Sequence, residues 1–99
     1  MFMVREVLHC NPGKVRPLVT KFQDLGALMR EMGLDPFRVY TDVSGGPFWT
    51  LVLERDYESL DAVQELEAKV MGDERAQKIM SGYHDLVHAG SREIYRIES

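Results

Sequence analysis

Residues 37–56 read FRVYTDVSGGPFWTLVLERD, and this stretch decides how the chain folds. Two runs rich in β-branched and aromatic residues flank the glycine-rich spacer SGGP (44–47), a pattern that predicts a β-hairpin. Pro47 stands at the start of the second run, where its missing N–H does little harm to a strand. The hairpin supplies two antiparallel strands, and the rest of the chain must pack around them.

The residues before the hairpin predict a strand and then a long helix. The run from Phe2 to His9 is apolar with interspersed polar residues, and the turn formers of NPGK (11–14) end it. Apolar residues then recur at three- and four-residue steps, as in an amphipathic helix, and Gly33 is placed to end that helix. These apolar residues are Val15, Leu18, Val19, Phe22, Leu25, Leu28, Met29 and Met32.

The residues after the hairpin predict two shorter helices and a last strand. Ser59 can cap a helix that Gly72 interrupts, and Asp73 can cap a second helix that Gly90 would end. Residues 91–97, SREIYRI, alternate in character and carry enough charge for a strand at a sheet edge or against a partner. The apolar residues of the second short helix are Ala76, Ile79, Met80, Tyr83 and Val87.

The order strand, helix, strand, strand, helix pair, strand predicts an α+β protein. A split βαβ arrangement of this kind, βαββαβ, forms a four-stranded antiparallel sheet with helices on one face, the ferredoxin-like fold. The 99 residues contain no linker or internal repeat, and their number suits one domain. We therefore expect residues 1–99 to form a single domain.

Composition and charge argue against several classes of function. The net charge is -4, and no basic run offers the footprint that nucleic acid requires. No apolar stretch approaches the roughly 20 residues that span a bilayer, and the N-terminal residues lack the apolar segment of a signal peptide. The single cysteine, Cys10, cannot form an internal disulfide and fits a reducing compartment. We expect a cytoplasmic protein that binds neither nucleic acid nor membranes.

A sheet covered by helices on one side leaves its second face bare. Strand alternation predicts that Trp49, Leu51 and Leu53 face the helices, whereas Tyr40 and Val52 point the other way. The bare face can be solvated, cover a ligand or pack against a second copy of the chain. We expect a second copy, because the alternative leaves a small core for a chain of this length.

The order and length of these elements resemble the dimeric α/β-barrel superfamily, which includes the antibiotic-biosynthesis-monooxygenase-like and NIPSNAP-like proteins. The resemblance covers FMVREVLH (2–9), the helix after NPGK, the hairpin, the helices from Leu60 and SREIYRI (91–97). It lies in pattern and length, without a single diagnostic motif. It implies a homodimer whose sheets pair through their open faces into a barrel, with a ligand pocket between sheet and helices in each subunit.

The stretch HDLVH (84–88) differs by one methylene from HExxH, the signature of zinc proteases. On a helix, His84 and His88 would share one face at the rim of the buried stripe. Asp85 is shorter than the usual glutamate base, and no third ligand follows at a suitable spacing. We therefore expect no metal, no cofactor, and a rim position for both histidines.

The pocket that the resemblance implies would be lined by Trp49, His9, Tyr83 and His84. The catalytic residue would be His84 or His9, since imidazole titrates near neutral pH. Trp49, Tyr83 and Asn11 would contact the ligand. Some members of the superfamily degrade haem with an asparagine, a tryptophan and a histidine in that order, and Asn11, Trp49 and His84 match this set by residue type alone.

Two functions are consistent with this reading. The first is a homodimer that binds a small aromatic or polyketide-like molecule; as an enzyme it would be a cofactor-independent monooxygenase or isomerase. The second is a non-enzymatic homodimer for assembly or partner binding, in which Trp49 is a core residue and the histidines are structural. In both, Cys10 is expected to be a small buried hydrophobe. The sequence leaves open whether the chain is an enzyme.

Overall fold

The computed structural model describes residues 1–99 as one sheet with three helices. The strands pair antiparallel in a single four-stranded sheet, and the predicted ferredoxin-like α+β fold is confirmed. No helix is both long and apolar enough to cross a membrane. The elements are β1 (Phe2–Cys10), α1 (Val15–Glu31), β2 (Arg38–Thr41), β3 (Thr50–Tyr57), α2 (Leu60–Met71), α3 (Glu74–Met80) and β4 (Val87–Arg96), with a 3-10 turn at Tyr83–Asp85.

The core forms where the apolar stripe of α1 meets the covered face of the sheet. Leu18 and Met29 of α1 are fully buried, as is Leu51 of β3. Burying a side chain of this size stabilises the fold by roughly 1.5–3 kcal/mol. The other apolar core residues are Val4, Cys10, Val15, Val19, Phe22, Leu25, Leu28, Leu53, Tyr57, Val63, Leu66, Val70, Ala76 and Met80.

β1 occupies the middle of the sheet, whose strand order is β2-β3-β1-β4. Leu8 pairs with Leu51 of β3 on one side and with Gly90 of β4 on the other. Since side chains alternate along a strand, the even-numbered residues of β1 face the helices and the odd-numbered ones face away. This phase, which the sequence left undecided, places Arg5 of β1 and Tyr95 of β4 on the open face.

Two glycines sit where a side chain would be unfavourable. A Cβ on Gly26 of α1 would lie 3.3 Å from Cβ of Pro36, so the helix packs closely against the segment before β2. Gly33 has a φ of 79°, in the left-handed region that ends many helices, as predicted. Gly26 thus allows α1 to approach Pro36 closely, and Gly33 ends the helix.

The predicted caps of the two shorter helices are confirmed. Ser59 Oγ accepts a hydrogen bond from the N–H of Ala62 at 3.2 Å, at the start of α2. Asp73 Oδ1 accepts one from the N–H of Arg75 at 2.8 Å, at the start of α3. Each bond satisfies an N–H that the first helical turn leaves unpaired.

The prediction that this second helix continues to Gly90 is wrong, because α3 ends at Met80. Gly82 adopts a φ of 82°, which turns the chain out of the helix. The ammonium of Lys21 donates to the carbonyl of Ser81 at 2.7 Å and supports this end.

The residues beyond this turn pair with β1 instead of extending the helix. β4 begins at Val87, four residues earlier than the predicted strand, and Gly90 lies inside it opposite Leu8. Pairing with β1 satisfies the backbone N–H and C=O groups of these residues. This tertiary interaction outweighs the helical spacing of their apolar side chains. His84 therefore lies in a 3-10 turn and His88 in a strand, so HDLVH does not form a helical pair.

The prediction that Trp49 packs under the helices with Leu51 and Leu53 is also wrong. Trp49 precedes β3, has a φ of 63° and leaves 44% of its surface exposed. A left-handed residue breaks strand alternation, so its side chain leaves the face that Leu51 and Leu53 share. The backbone is held by a 2.8 Å hydrogen bond from the N–H of Cys10 to the carbonyl of Trp49.

Leu51→Ala is expected to destabilise the fold by about 2–5 kcal/mol, because it leaves a cavity between the sheet and α1. Urea unfolding measures the change. Leu60→Ala, at an exposed position at the start of α2, is the control and should change stability by less than about 0.5 kcal/mol. Equal losses in the two variants would contradict the assignment of the core.

Candidate functional site

A cavity of about 310 Å³ lies between the covered face of the sheet and the helices. We call it the central cavity. Its walls are mainly apolar, and they come from β1, β3 and all three helices. A volume of this order is at the lower end for small-molecule sites. The apolar lining consists of Leu8, Phe22, Leu25, Phe37, Leu53, Leu66, Val70, Met71, Met80 and Tyr83.

Three charged side chains form the polar part of the central cavity. Nη2 of Arg92 donates to Oε1 of Glu6 at 2.6 Å and also to Glu67. Burial alone lowers the pKa of Arg92, but the hydrogen bonds to the two carboxylates outweigh it, and the net shift is upward. One guanidinium between two carboxylates gives this trio a net negative charge.

The sequence analysis missed this trio, although it contained a signal. Glu6 shares its strand phase with the apolar residues Val4 and Leu8, which marks it as a charged side chain on the covered face. Arg92 lies directly opposite Glu6 in the pairing of β1 with β4. Glu67 comes from α2, and only the packing of that helix brings it to the pair.

The structure does not gather the residues that were predicted to line one pocket. Tyr83 lines the central cavity, whereas His9, Trp49 and His84 do not. The His84 ring is exposed and lies against that of Tyr83, with centres 4.0 Å apart. His9 shares the open face with Val7 and hydrogen-bonds Thr50 Oγ1 at 3.3 Å. The roles of His84 and His9 as bases remain predictions.

Trp49 instead lines a second, more open cavity of about 360 Å³ at the start of α1. Phe48 and Trp49 form its aromatic side, and Arg16 and Asp42 form its charged side. It is separate from the central cavity.

Asn11 has a structural role in the fold. Its side-chain amide donates to the carbonyl of Asp85 at 3.0 Å, and its backbone N–H donates to Leu86 at 2.9 Å. Asn11, Trp49 and His84, which match the residue types of the haem-degrading proteins, thus come from adjacent segments. No cavity is lined by more than one of the three.

The open face carries a row of alternating charges across all four strands. Arg38, Glu54, Arg5 and Glu93 lie opposite one another in successive strands. Nε of Arg5 donates to Glu54 at 2.8 Å, a bond that raises the pKa of the guanidinium. Looser contacts of 3.9 Å join Arg5 to Glu93 and Arg38 to Glu54.

Beside this row lies a small apolar patch formed by Tyr40, Val52 and Val7 in neighbouring strands. Together with Arg5, Glu54 and Glu93 these side chains surround a shallow depression. The predicted open face of mixed character is therefore present.

The sequence matches no protein-family model and no curated protein. The fold, in contrast, is shared with solved structures of NIPSNAP-family and antibiotic-biosynthesis-monooxygenase-like proteins. The resemblance predicted from the sequence is thus confirmed at the level of the fold.

Three of these structures illustrate the likeness. A NIPSNAP-family protein of unknown function from Agrobacterium tumefaciens superposes with a TM-score of 0.80 at 21% identity, over 96% of this chain and 86% of that one. An uncharacterised NIPSNAP-like domain protein from Burkholderia xenovorans gives 0.81 at 17% identity, over 99% and 85%. A putative antibiotic biosynthesis monooxygenase from Nitrosomonas europaea gives 0.73 at 13% identity, over the full length of both chains.

Cys10 is expected to react with a thiol reagent such as DTNB only when the protein unfolds. The side chain is 2% exposed, and burial, with a smaller contribution from the charge of Asp42, raises the pKa of its thiol. Absorbance at about pH 8 should show no rapid reaction in buffer and full reaction in urea.

The matched control is Cys10→Ala/Val43→Cys, which moves the only thiol to a fully exposed loop position. This variant should react at once under native conditions. Rapid reaction of native wild-type protein would show that the end of β1 is not packed as described.

Proposed function

We propose that the protein binds a small aromatic molecule in the central cavity. The observation that carries this proposal is a mainly apolar cavity of about 310 Å³ between sheet and helices, open to solvent on one side and bordered there by one charged trio. Binding sites of small molecules combine largely apolar walls with a few fixed polar groups. The fold is shared with a putative antibiotic biosynthesis monooxygenase, and we extend the proposal to polyketide-like molecules of similar size.

The walls and the polar trio have separate tasks in this proposal. Phe22, Phe37 and the other apolar side chains bury the rings of the ligand, which releases water from both surfaces. One of the carboxylates, Glu6 or Glu67, accepts a hydrogen bond from a hydroxyl on the ligand, while Arg92 holds both carboxylates in place. Tyr83 contributes an aromatic ring to the lining.

As an enzyme, the protein would begin cofactor-independent oxygenation or isomerisation by taking a proton from this ligand. A general base must lie within hydrogen-bond reach of the proton that it removes. Glu6 lines the central cavity whereas His84 and His9 do not, so we propose Glu6 as the base in their place. Activity of this type requires that Glu6→Gln retains binding and loses turnover.

Leu8→Trp is expected to abolish binding of 1-naphthol, or to weaken it at least about tenfold, because the indole fills the central cavity. Isothermal titration calorimetry measures the affinity. The control is Leu60→Trp, which adds the same indole at an exposed position and should bind like the wild type.

Urea unfolding of both variants shows that they remain folded. Wild-type protein that binds neither 1-naphthol nor related bicyclic phenols would contradict the proposed function. Undiminished binding by Leu8→Trp would show that the ligand occupies another place.

We also propose that the open face pairs with that of a second copy. The alternating row of Arg38, Glu54, Arg5 and Glu93 is complementary to itself when a second row runs in the opposite direction. The patch of Tyr40, Val52 and Val7 supplies apolar surface to the same contact. This surface supports the alternative function too, since a homodimer for assembly needs no catalytic residue.

Val52→Arg is expected to convert a dimer to a monomer, because it places a long, charged side chain in the apolar patch of the contact and requires that charge to be desolvated. Sedimentation equilibrium gives the mass. Leu60→Arg, with the same charge outside the open face, should leave the dimer intact. A wild-type protein that is monomeric at all accessible concentrations would refute the pairing.

A further inference from the structure

Two imidazole rings lie side by side at one end of the open face. The ring centres of His9 and His88 are 6.3 Å apart, and the ring planes are inclined by 26°. His9 comes from the end of β1 and His88 from the start of β4, so the side chains converge from neighbouring strands. Neither residue lines the central cavity, and neither has a role in the function proposed above.

An irregularity in strand pairing brings His88 to this place. β4 follows β1 in regular register up to the pair of His9 and Ala89, and then Cys10 lies opposite Val87. His88 is the additional residue and has no partner in β1. A bulge of this kind bends the strand and redirects a side chain, and bulges are frequent next to functional sites.

The bulge is tied to the end of β1 by two hydrogen bonds of Asn11. The backbone N–H of Asn11 donates to the carbonyl of Leu86 at 2.9 Å, and its side-chain amide donates to that of Asp85 at 3.0 Å. These bonds fix the chain just before β4. The position of His88 beside His9 is thus set by the backbone and does not depend on a flexible loop.

Hydrogen bonding also fixes which nitrogen of His9 is free. Thr50 Oγ1 donates its only proton to the carbonyl of Pro47 at 2.7 Å, so it can only accept from the Nδ1–H of His9, 3.3 Å away. The lone pair of His9 therefore resides on Nε2. Metal-binding histidines show the same arrangement, in which one ring nitrogen donates to a neighbouring oxygen and the other binds the ion.

We propose that His9 and His88 together bind one divalent transition-metal ion of the Cu²⁺, Ni²⁺ or Zn²⁺ type. With metal–nitrogen bonds of about 2.1 Å, two imidazoles on one ion hold their ring centres roughly 5 to 6 Å apart. The 6.3 Å between the ring centres of His9 and His88 is close to this range, and the His88 side chain is exposed. No third His, Cys, Asp or Glu completes a metal-binding group, so the ion keeps positions open for water or an added ligand.

This site uses one histidine of HDLVH in a different way from the motif. His88 binds with His9, which lies at the far end of the sequence, while His84 lies against Tyr83. The chain has three histidines, and the third therefore serves as an internal control.

The test is titration with Cu²⁺, the first-row divalent ion that nitrogen ligands bind most tightly. Calorimetry should give one site per chain. Electron spin echo spectroscopy of the bound Cu²⁺ should detect two imidazoles. His9→Ala and His88→Ala should each weaken binding at least about tenfold and leave one imidazole, whereas His84→Ala should bind like the wild type.

Thr50→Val tests the positioning of His9 without removing a ligand. It removes the oxygen that accepts from Nδ1–H, so affinity for Cu²⁺ should fall by about 10- to 100-fold. Thr50→Ser keeps the hydroxyl and should restore most of the affinity. The urea midpoints of all variants separate loss of the site from loss of the fold.

Three results would overturn the proposal. One is a spectrum without imidazole nitrogen, as expected for Cu²⁺ at the chain's amino terminus alone. Another is a loss of affinity in His84→Ala as large as that in His88→Ala, which would favour the sequence motif. The third is wild-type affinity in both His9→Ala and His88→Ala.

Discussion

The two-residue alternation of β1 is the constraint on which the rest of the structure depends. This strand is paired on both sides, so its phase sets which residues of β3 and β4 share each face. Leu8 and Glu6 are thereby directed into the central cavity, and Arg5 and Val7 to the open face. A shift of one residue in the register of β1 would turn Leu8 and Glu6 to the open face and Arg5 and Val7 to the cavity. The alternation of apolar residues in β1 therefore determines the composition of both faces.

Most of the fold follows from local signals that agree with one another. The stripe of α1, the caps at Ser59 and Asp73 and the glycine-rich hairpin each predict their element, and together they predict the order of elements along the chain and the ferredoxin-like fold. The exceptions are places where a tertiary interaction overrides the local pattern. Val87 continues the helical spacing of α3, yet it pairs with β1, because Gly82 turns the chain first.

The candidate site was less predictable because its members come from distant segments. Glu6 and Arg92 are opposite each other only once the register of β1 and β4 is known, and Glu67 joins them through packing of α2. The sequence analysis chose Trp49 as a ligand contact from its residue type alone. In the structure its left-handed backbone directs the side chain away from the core. Strand phase, which marks a charged residue among apolar neighbours, is the stronger signal for such a site.

The two faces of the sheet differ in chemical character: the covered face borders a mainly apolar cavity, and the open face carries a row of paired charges. On the covered face, Arg92 is bonded to the two carboxylates of Glu6 and Glu67 at the solvent-exposed side of the cavity. On the open face, the row that includes Arg5 and Glu54 leaves the end near His9 free of carboxylates other than Asp42, which accepts the N–H of Thr50. The bulge in β4 adds His88 at that free end. The pairing of β1 with β4 thus contributes to an apolar cavity on one side of the sheet and brings two imidazoles together on the other.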